Sequence, residues 1–485
     1  MTGRAATLTT QKELRALLPT WAVAMLAVVG ARALQDYTSE PVVLFALALG
    51  CVALGSQLFG QEFGHRTLGL LLAQPLSRRV LFLIKAGVLA VLVLSLVAFS
   101  AALLSDVPRG KFKGGLELQW TLMISMAGFA LAPCFTLVTR SGFAGLVFSV
   151  AVPGFIALIS ELAAIRWYGY DAAAQIDAIR GVGLWRGMLV VSTAAAIASW
   201  WLFMRIEDSD GRRRELQMPS WLTRSGTSAV GLSTRHPLLQ LAIKELHLQQ
   251  MAFVVAGLFC LAAGALLLSQ DINAARPSTI MEAVVGMYVA VIALIVGSLA
   301  SAEERQFGTL QSQMLLPVPA RTQWLVKAGM ALALVTVLGL GLPALMLWAG
   351  GARVPSWRIT LRIPFMLVGL TSVAIYVSSL SSSGVRAIVG AMAAAFGGLM
   401  LVNWISSTFF YFLINWDRRL FDWYIHRLFL HNQWTLMVEA TLVSALLLYL
   451  ASQNHREVER SIRLTRQVAW IVGLAIILRS ASLWI

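Results

Sequence analysis

Twelve apolar runs, each long enough to cross a bilayer, constrain this fold more than any other feature of the sequence. A spanning helix needs roughly 20 apolar residues, and a helix satisfies its own backbone hydrogen bonds where lipid cannot. With 58% hydrophobic and 13% charged residues, a soluble fold of 485 residues could not bury its apolar side chains. The sequence therefore predicts an all-α integral membrane protein with about 12 transmembrane helices.

The runs fall into two groups of six, separated by a polar stretch. They cover about 19–34, 41–60, 81–104, 118–138, 143–165 and 188–204, and then 251–268, 283–302, 324–349, 363–380, 387–413 and 434–450. The polar stretch is rich in Gly, Ser and Arg and includes Arg212, Arg213 and Arg214 in a row. By the positive-inside rule this linker, the N terminus and the tail 455–466 face the cytoplasm, which six crossings in each half allow.

The two groups are copies of one another. A shift of 242 positions aligns residues 40–87 with residues 282–329 without a gap. Glu62, Thr67, Pro75, Arg79 and Lys85-Ala86-Gly87 match Glu304, Thr309, Pro317, Arg321 and Lys327-Ala328-Gly329. Apolar composition alone would not align so many polar residues at one shift. Because each copy has an even number of crossings, we expect parallel repeats about an axis along the membrane normal.

This duplication predicts four regions. Residues 1–205 form the first repeat, 206–236 the cytoplasmic linker, 237–452 the second repeat, and 453–485 an amphipathic segment followed by a last helix. That last helix is either a short thirteenth span or a helix in the interface.

Each repeat is expected to open with an amphipathic helix on the membrane surface. The first, TTQKELRALLP, has a capping box of Thr10 with Glu13 and should stop at Pro19. The second, HPLLQLAIKELHLQQ, repeats the Lys-Glu-Leu triplet and has Pro237 near its start.

The duplicated polar stretch joins the second and third crossings of each half on the cytoplasmic side. Glu62 and Glu304 would suit a helix N-terminus, where a carboxylate meets the positive end of the helix dipole. The segments TLGLLL and TLQSQMLL are good helix formers, and Pro75 and Pro317 end them. The sequence thus predicts a short helix inside each loop.

The pattern Glu-x-x-x-Gly-Thr-Leu, then apolar residues, then Pro-x-x-x-Arg resembles the cytoplasmic loop of type-2 ATP-binding-cassette (ABC) export permeases. The second copy keeps Gly308, whereas the first has Arg66 at that position. The resemblance covers nearly the whole chain, as two six-helix permease units fused in tandem. It implies that each loop is a coupling helix that docks into a cleft of a separate ATPase subunit, itself a dimer.

Carried over by this resemblance, the ATPase-coupling residues are Glu62, His65, Arg66, Thr67, Leu68, Pro75 and Arg79 in the first copy, and Glu303, Glu304, Gly308, Thr309, Leu310, Pro317 and Arg321 in the second. The alternative is an interfacial turn with ordinary positive-inside arginines.

The chain is not expected to be an enzyme. It has no G-x-x-x-x-G-K-[ST] loop, no metalloprotease motif and no cysteine spacing for a metal, so no bound cofactor is predicted. ATP and Mg would be bound by the partner subunit.

Glu161 and Asn403 lie at equivalent positions inside the fifth apolar run of each half. An ionisable residue at such depth suggests a transport pathway, while a structural pair of Glu161 with Arg166 is the alternative. The aromatic-rich segment 415–434 would be a helix at the headgroup level or a lid over an exit path.

These features favour the permease subunit of an ABC exporter, which the resemblance places in a bacterial inner membrane with the N terminus in the cytoplasm. Its partners would be the cytoplasmic ATPase, membrane lipids and additional periplasmic or membrane components. A stand-alone ion-coupled transporter and a non-transporting anchor for an ATPase complex are alternatives. The net charge of +15 does not indicate nucleic acid, because Arg and Lys collect at the ends of the apolar runs.

Overall fold

A computed structural model describes eleven stretches of the chain, and all of them are helices joined by short turns. They are residues 2–33, 41–65, 67–105, 118–168, 173–206, 237–269, 279–306, 318–349, 357–416, 437–455 and 461–481. Within these stretches there is no β-strand.

The helices of the first half are α1 (Thr2–Ala33), α2 (Pro41–Gly64), α3 (Leu68–Leu72), α4 (Arg78–Ser105), α5 (Leu118–Met126), α6 (Ala132–Thr139), α7 (Gly142–Tyr168) and α8 (Ala173–Arg205). Those of the second half are α9 (Pro237–Leu248), α10 (Gln250–Ser269), α11 (Thr279–Gln306), α12 (Ala320–Thr336), α13 (Leu342–Ala349), α14 (Trp357–Leu380), α15 (Gly384–Trp416), α16 (437–455) and α17 (Ser461–Ala481). Short π-helical segments, Ala127–Leu131 and Val337–Gly341, join α5 to α6 and α12 to α13.

Ten helices of the described stretches are long and apolar enough to cross a membrane, six in the first half and four in the second. The prediction of an all-α membrane protein is confirmed at this level. The eleventh and twelfth apolar runs fall in α15 and α16, which are not among these ten helices. Within α15, the stretch Gly384–Met400 is apolar but shorter than the 18 residues of a candidate span. The count of twelve spans stays a prediction.

The prediction that the opening helix stops at Pro19 is wrong. Helix α1 continues through Pro19 to Ala33. The Ala16 carbonyl, one turn before the proline, accepts hydrogen bonds from Gln61 Nε2 of α2 and from Arg386 Nη2 of α15, each at 3.2 Å. Side chains of neighbouring helices thus serve the backbone where a proline disturbs the helix, which is how spanning helices tolerate proline.

The predicted capping box is also wrong. Thr10 lies inside α1, and its hydroxyl donates to the Ala6 carbonyl at 2.9 Å. Glu13 turns instead to a lysine of α4. In the second half the opening helix is separate, since a turn at Gln249 divides α9 from α10.

The second span of each half packs very closely on the fourth. A Cβ atom added to Gly55 would lie 1.9 Å from the Gly128 carbonyl oxygen and 2.8 Å from Ala132 Cβ. At the position 242 residues later, a Cβ on Gly297 would lie 2.5 Å from Ala374 Cβ, and Ala374 is the counterpart of Ala132. Glycine allows the same backbone approach in both halves.

The halves contact each other through equivalent helices. Helix α1 packs on α15, and α10 packs on α7, so the first apolar run of each half meets the fifth apolar run of the other. Near the loops, a Cβ on Gly64 would lie 2.4 Å from Gln306 Nε2. These two residues are themselves 242 positions apart.

Replacing Gly55 or Gly297 by Ala is expected to lower the melting temperature of the purified protein, since each new methyl group would overlap the fourth span and overpacking costs about 1–3 kcal/mol. Gly87 and Gly329 are matched controls, because a Cβ there meets no atom within 4 Å. Their Ala variants should keep or slightly raise the melting temperature. Equal behaviour of both pairs would contradict the packing described here.

Candidate functional site: two buried charge clusters beside the loops

The first charge cluster joins three helices around Lys85 of α4. Lys85 Nζ donates to Glu13 of α1 at 2.8 Å, to Glu62 of α2 at 3.3 Å and to the Leu58 carbonyl at 3.1 Å. Lys85 is 1% exposed and Glu62 is 5% exposed. A buried charge is tolerated only when it is paired and hydrogen-bonded, so this lysine fixes α1, α2 and α4 relative to one another.

The first cluster also reaches the loop. The hydroxyl of Thr67, the residue before α3, donates to the second carboxylate oxygen of Glu62, and the Thr67 N–H donates to the Glu62 carbonyl at 3.0 Å. Lys12, which is half exposed, approaches Glu62 from the outside at 3.3 Å. Glu62 therefore connects Thr67, at the start of α3, to Lys12 of α1 and Lys85 of α4.

The second charge cluster repeats this arrangement around Lys327 of α12. Its ammonium group hydrogen-bonds Glu304 of α11 and lies 3.9 Å from Glu245 of α9. Lys244 donates to Glu304 at 2.8 Å, as Lys12 does to Glu62. Glu304 and Lys327 match their counterparts at the shift of 242, whereas the Lys-Glu pair matches at 232.

The two clusters differ at the opening helix. Glu13 accepts a short hydrogen bond from Lys85, but Glu245 lies farther from Lys327 and close to the second carboxylate, Glu304. Burial, reinforced by Glu304 and only partly offset by Lys327 and Lys244, raises the pKa of Glu245 to about 7.

His455, at the end of α16, borders the second cluster. Burial, together with the positive charges of Lys327, Arg305 and Lys244, lowers the pKa of His455 to about 4 despite Glu304. The imidazole is therefore neutral near pH 7. Within the described stretches neither of its ring nitrogens has a hydrogen-bond partner.

The expectation that Glu62 and Glu304 stand at helix N-termini is wrong. Helix α2 runs on to Gly64 and α11 to Gln306, so both carboxylates lie in the last turn of a long helix. The dipole disfavours a negative charge there, and the lysines of the clusters compensate for it. Both carboxylates are buried rather than presented to solvent, Glu304 at 0% exposure.

The predicted short loop helix is confirmed in the first copy as α3. Leu68 and Leu71 point inward, while Leu70 is 73% exposed. Of the other predicted coupling residues, His65, Pro75 and Arg79 are exposed, Thr67 is half-buried and Arg66 lies outside the described residues.

In the second copy the structure covers only the edges of the loop. Glu303 is half-buried and Arg321 is exposed, while Gly308, Thr309, Leu310 and Pro317 lie outside the described residues. Glu161 and Asn403 belong to α7 and α15, but their side chains lie outside what is described. Of the aromatic-rich segment 415–434, residues 417–434 lie outside the described residues.

Sequence reasoning missed the lysines and the carboxylates of the opening helices as cluster members. The signal was available, because Lys85 and Lys327 sit inside apolar runs, where an ionisable residue needs a partner. The Lys-Glu-Leu triplets were recognised as repeats. The sequence alone does not show that the triplet of the opening helix, the loop and the third span lie next to one another.

An apolar cavity of about 190 Å³ lies between the halves, on the part of α2 and α11 far from the loops. Phe45 and Leu49 of α2 line it opposite their counterparts Met287 and Val291 of α11. Helices α7, α10 and α15 complete the wall, and no charged residue lines it.

The described residues contain no group of His, Cys, Asp and Glu that could hold a metal ion. Comparisons with protein-family models, with curated proteins and with solved structures find no match to this chain. The functional argument therefore depends on the charge clusters, the loops and the cavity.

Replacing Lys85 by Met is expected to lower the melting temperature strongly, a loss of about 3–5 kcal/mol, because Glu13 would remain buried without a counter-ion and Glu62 would keep only the half-exposed Lys12. Lys12→Met, at a half-exposed position, should cost less than about 1 kcal/mol. Adding Glu13→Gln and Glu62→Gln to Lys85→Met should restore part of the loss. A Lys85→Met variant as stable as the parent would refute the cluster.

The raised pKa of Glu245 predicts a specific pH dependence. Between pH 4.5 and about 7 the unfolded chain loses this proton while the folded chain keeps it, so stability falls as pH rises through this window and then levels off. Relative to the parent, Glu245→Gln should gain up to about 3 kcal/mol at pH 8 and nothing near pH 4.5, measured by thermal unfolding in detergent.

Glu13→Gln is the matched control for that experiment, since it removes a carboxylate that accepts directly from Lys85. It should lower stability over the same pH range. If Glu245→Gln behaves like Glu13→Gln, the two clusters are equivalent and the assignment is wrong.

Proposed function

We propose that this chain is the membrane-spanning permease of an ABC exporter, with both permease units in one polypeptide and ATP hydrolysed by a separate cytoplasmic ATPase dimer. The observation that carries the proposal is the pair of buried charge clusters. Each joins the end of a second span, at the entrance to its loop, to an opening helix and a third span. Such joints suit a loop that receives force from a partner.

The route of the force in the first half runs through a few contacts. A push on α3 acts on Thr67, which is bound to Glu62, and Glu62 is bound to Lys85. Lys85 in turn holds Glu13 of α1. Because separating these buried charges is costly, α1, α2 and α4 should move together when the loop moves.

The contacts between the halves support a pseudodimer. The first and fifth spans meet reciprocally, and the equivalent residues Gly64 and Gln306 lie side by side. Parallel repeats about one axis would produce this pattern, because residues next to such an axis meet their own counterparts. A partner dimer with matching symmetry could then engage both loops.

The docking surface proposed for the partner is the exposed side of α3 and the turn after it. Leu68 and Leu71 anchor α3 to the spans, whereas Leu70 projects from it. An exposed leucine, followed along the chain by the exposed Arg78 and Arg79 at the start of α4, suits an apolar cleft with an acidic rim. The sequence predicts that Glu62 contacts the ATPase. Because Glu62 is buried, we assign the docking contact to Leu70 instead.

The cavity favours a hydrophobic cargo over an ion. No carboxylate among the described side chains lines it, whereas an ion-coupled transporter would need charged or carbonyl ligands on its pathway. A non-transporting anchor would also bind an ATPase, but that role does not require a cavity between the halves.

Leu70→Asp is expected to remove most of the ATPase that co-purifies with the chain, since a carboxylate would enter an apolar contact, and to leave the melting temperature nearly unchanged. The measurement is the ratio of ATPase to permease after detergent extraction of cells that express both. The matched control is Leu268→Asp, at a 91% exposed leucine at the opposite ends of the spans, which should retain the ATPase. If neither variant nor parent brings down an ATP-binding polypeptide, the proposal fails.

A further inference from the structure

Two seams join the halves, and they are built differently. The first seam lies between α1 and α15, and the second between α10 and α7. At the loop end of the first seam, Arg386 Nη2 donates to the Ala16 carbonyl at 3.2 Å. Farther along α1, a Cβ on Gly30 would lie 3.0 Å from Phe396 Cβ. Ala16 and Gly30 are about 20 Å apart along the helix, so the first seam is closed over most of the membrane depth.

The second seam lacks both of these closures. The counterpart of Arg386 at the shift of 242 is Ala144, whose methyl group cannot reach across a seam. The counterpart of Phe396 is Gly154. Where the first seam has a phenylalanine whose Cβ borders α1, the second has only a hydrogen atom.

The cavity lies where the second half has Gly154 in place of a phenylalanine. Gly154 lines it, and so does Ala262 of α10, which corresponds to Gly30 when positions are counted from the Lys-Glu pairs. A Cβ on Gly154 would meet no atom within 4 Å, and this residue is exposed. The cavity is therefore open beside α7, on the side of the second seam.

The lining fixes the chemistry of a ligand. Tyr288 contributes a hydroxyl group to the lining of the cavity. This hydroxyl already donates to the Leu338 carbonyl at 2.9 Å, and the Tyr288 ring stacks on Phe259. A polar ligand would lose its hydration without gaining partners. Apolar cavities of about 150 Å³ bind ligands as large as benzene, so this one, at about 190 Å³, suits a short length of hydrocarbon chain.

We propose that the cavity binds one hydrocarbon chain of a membrane lipid or lipid-like molecule, which enters through the second seam while the first seam stays closed. In a bilayer such chains surround the exposed Gly154 at high concentration. The inference deepens the proposed export function by naming where a hydrophobic cargo is held. Its test requires no ATPase, so the two proposals can fail separately.

The test uses a fatty acid with a photoreactive diazirine on its chain, mixed into phosphatidylcholine vesicles that contain the purified full-length chain. After illumination, mass spectrometry locates the labelled peptides. In the parent, label should concentrate on cavity residues of α7 and α10 above the level on the lipid-facing side of α4. It should saturate with increasing probe, as binding to a site does.

The decisive variant is Gly154→Phe, which gives the second seam the ring of the first. It should reduce the label on α7 and α10 to the level on α4, with the melting temperature retained because the site has room for the side chain. Gly154→Leu, a smaller filler, should reduce the label in part and serves if the phenylalanine variant fails to fold.

The matched variant is Phe396→Gly, which opens the first seam and should bring label onto α1 and α15. Label spread evenly over all lipid-facing helices, or unchanged in both Gly154 variants, would overturn the proposal.

Discussion

A lysine buried in an apolar span, held by carboxylates from two other helices, is the interaction on which the rest of this structure depends. Lys85 and Lys327 lie where lipid or packed side chains would otherwise surround them, so each needs its counter-ions. That requirement fixes the position of the opening helix against the second and third spans. It also fixes where each second span ends and its loop begins, because Glu62 and Glu304 belong to both.

The clusters contribute geometry more than stability. A buried ion pair gains little over well-packed apolar residues of the same size, but removal of one partner is costly. The charges thus select one arrangement of three helices without making it especially stable. The difference between the two halves follows from this. Where Lys327 turns toward Glu304, Glu245 is left as a buried acid with a raised pKa, and the second opening helix is held less firmly than the first.

The sequence contained enough information for the helical class and for the loop helix α3, because these depend on apolar length and on a proline. Predictions from local sequence rules were wrong where a residue contacts a partner from a distant part of the chain. Pro19 should have ended a helix, but α1 continues through it, and Gln61 and Arg386 hydrogen-bond the Ala16 carbonyl just before the proline. Thr10 and Glu13 had the spacing of a cap, but Glu13 had a lysine to neutralise. No single stretch of sequence carries such information, since the partners lie 45–370 residues away.

Two halves within one chain have a freedom that two identical subunits do not have. In a symmetric homodimer every substitution acts on both seams, so a ring that closes one seam closes the other. Here Phe396 and Gly154 occupy equivalent positions and differ, as do Arg386 and Ala144. Each half has its own charge cluster, because each has a buried lysine that must be paired. The seams carry no such constraint, and one could become a fixed contact while the other kept an apolar cavity.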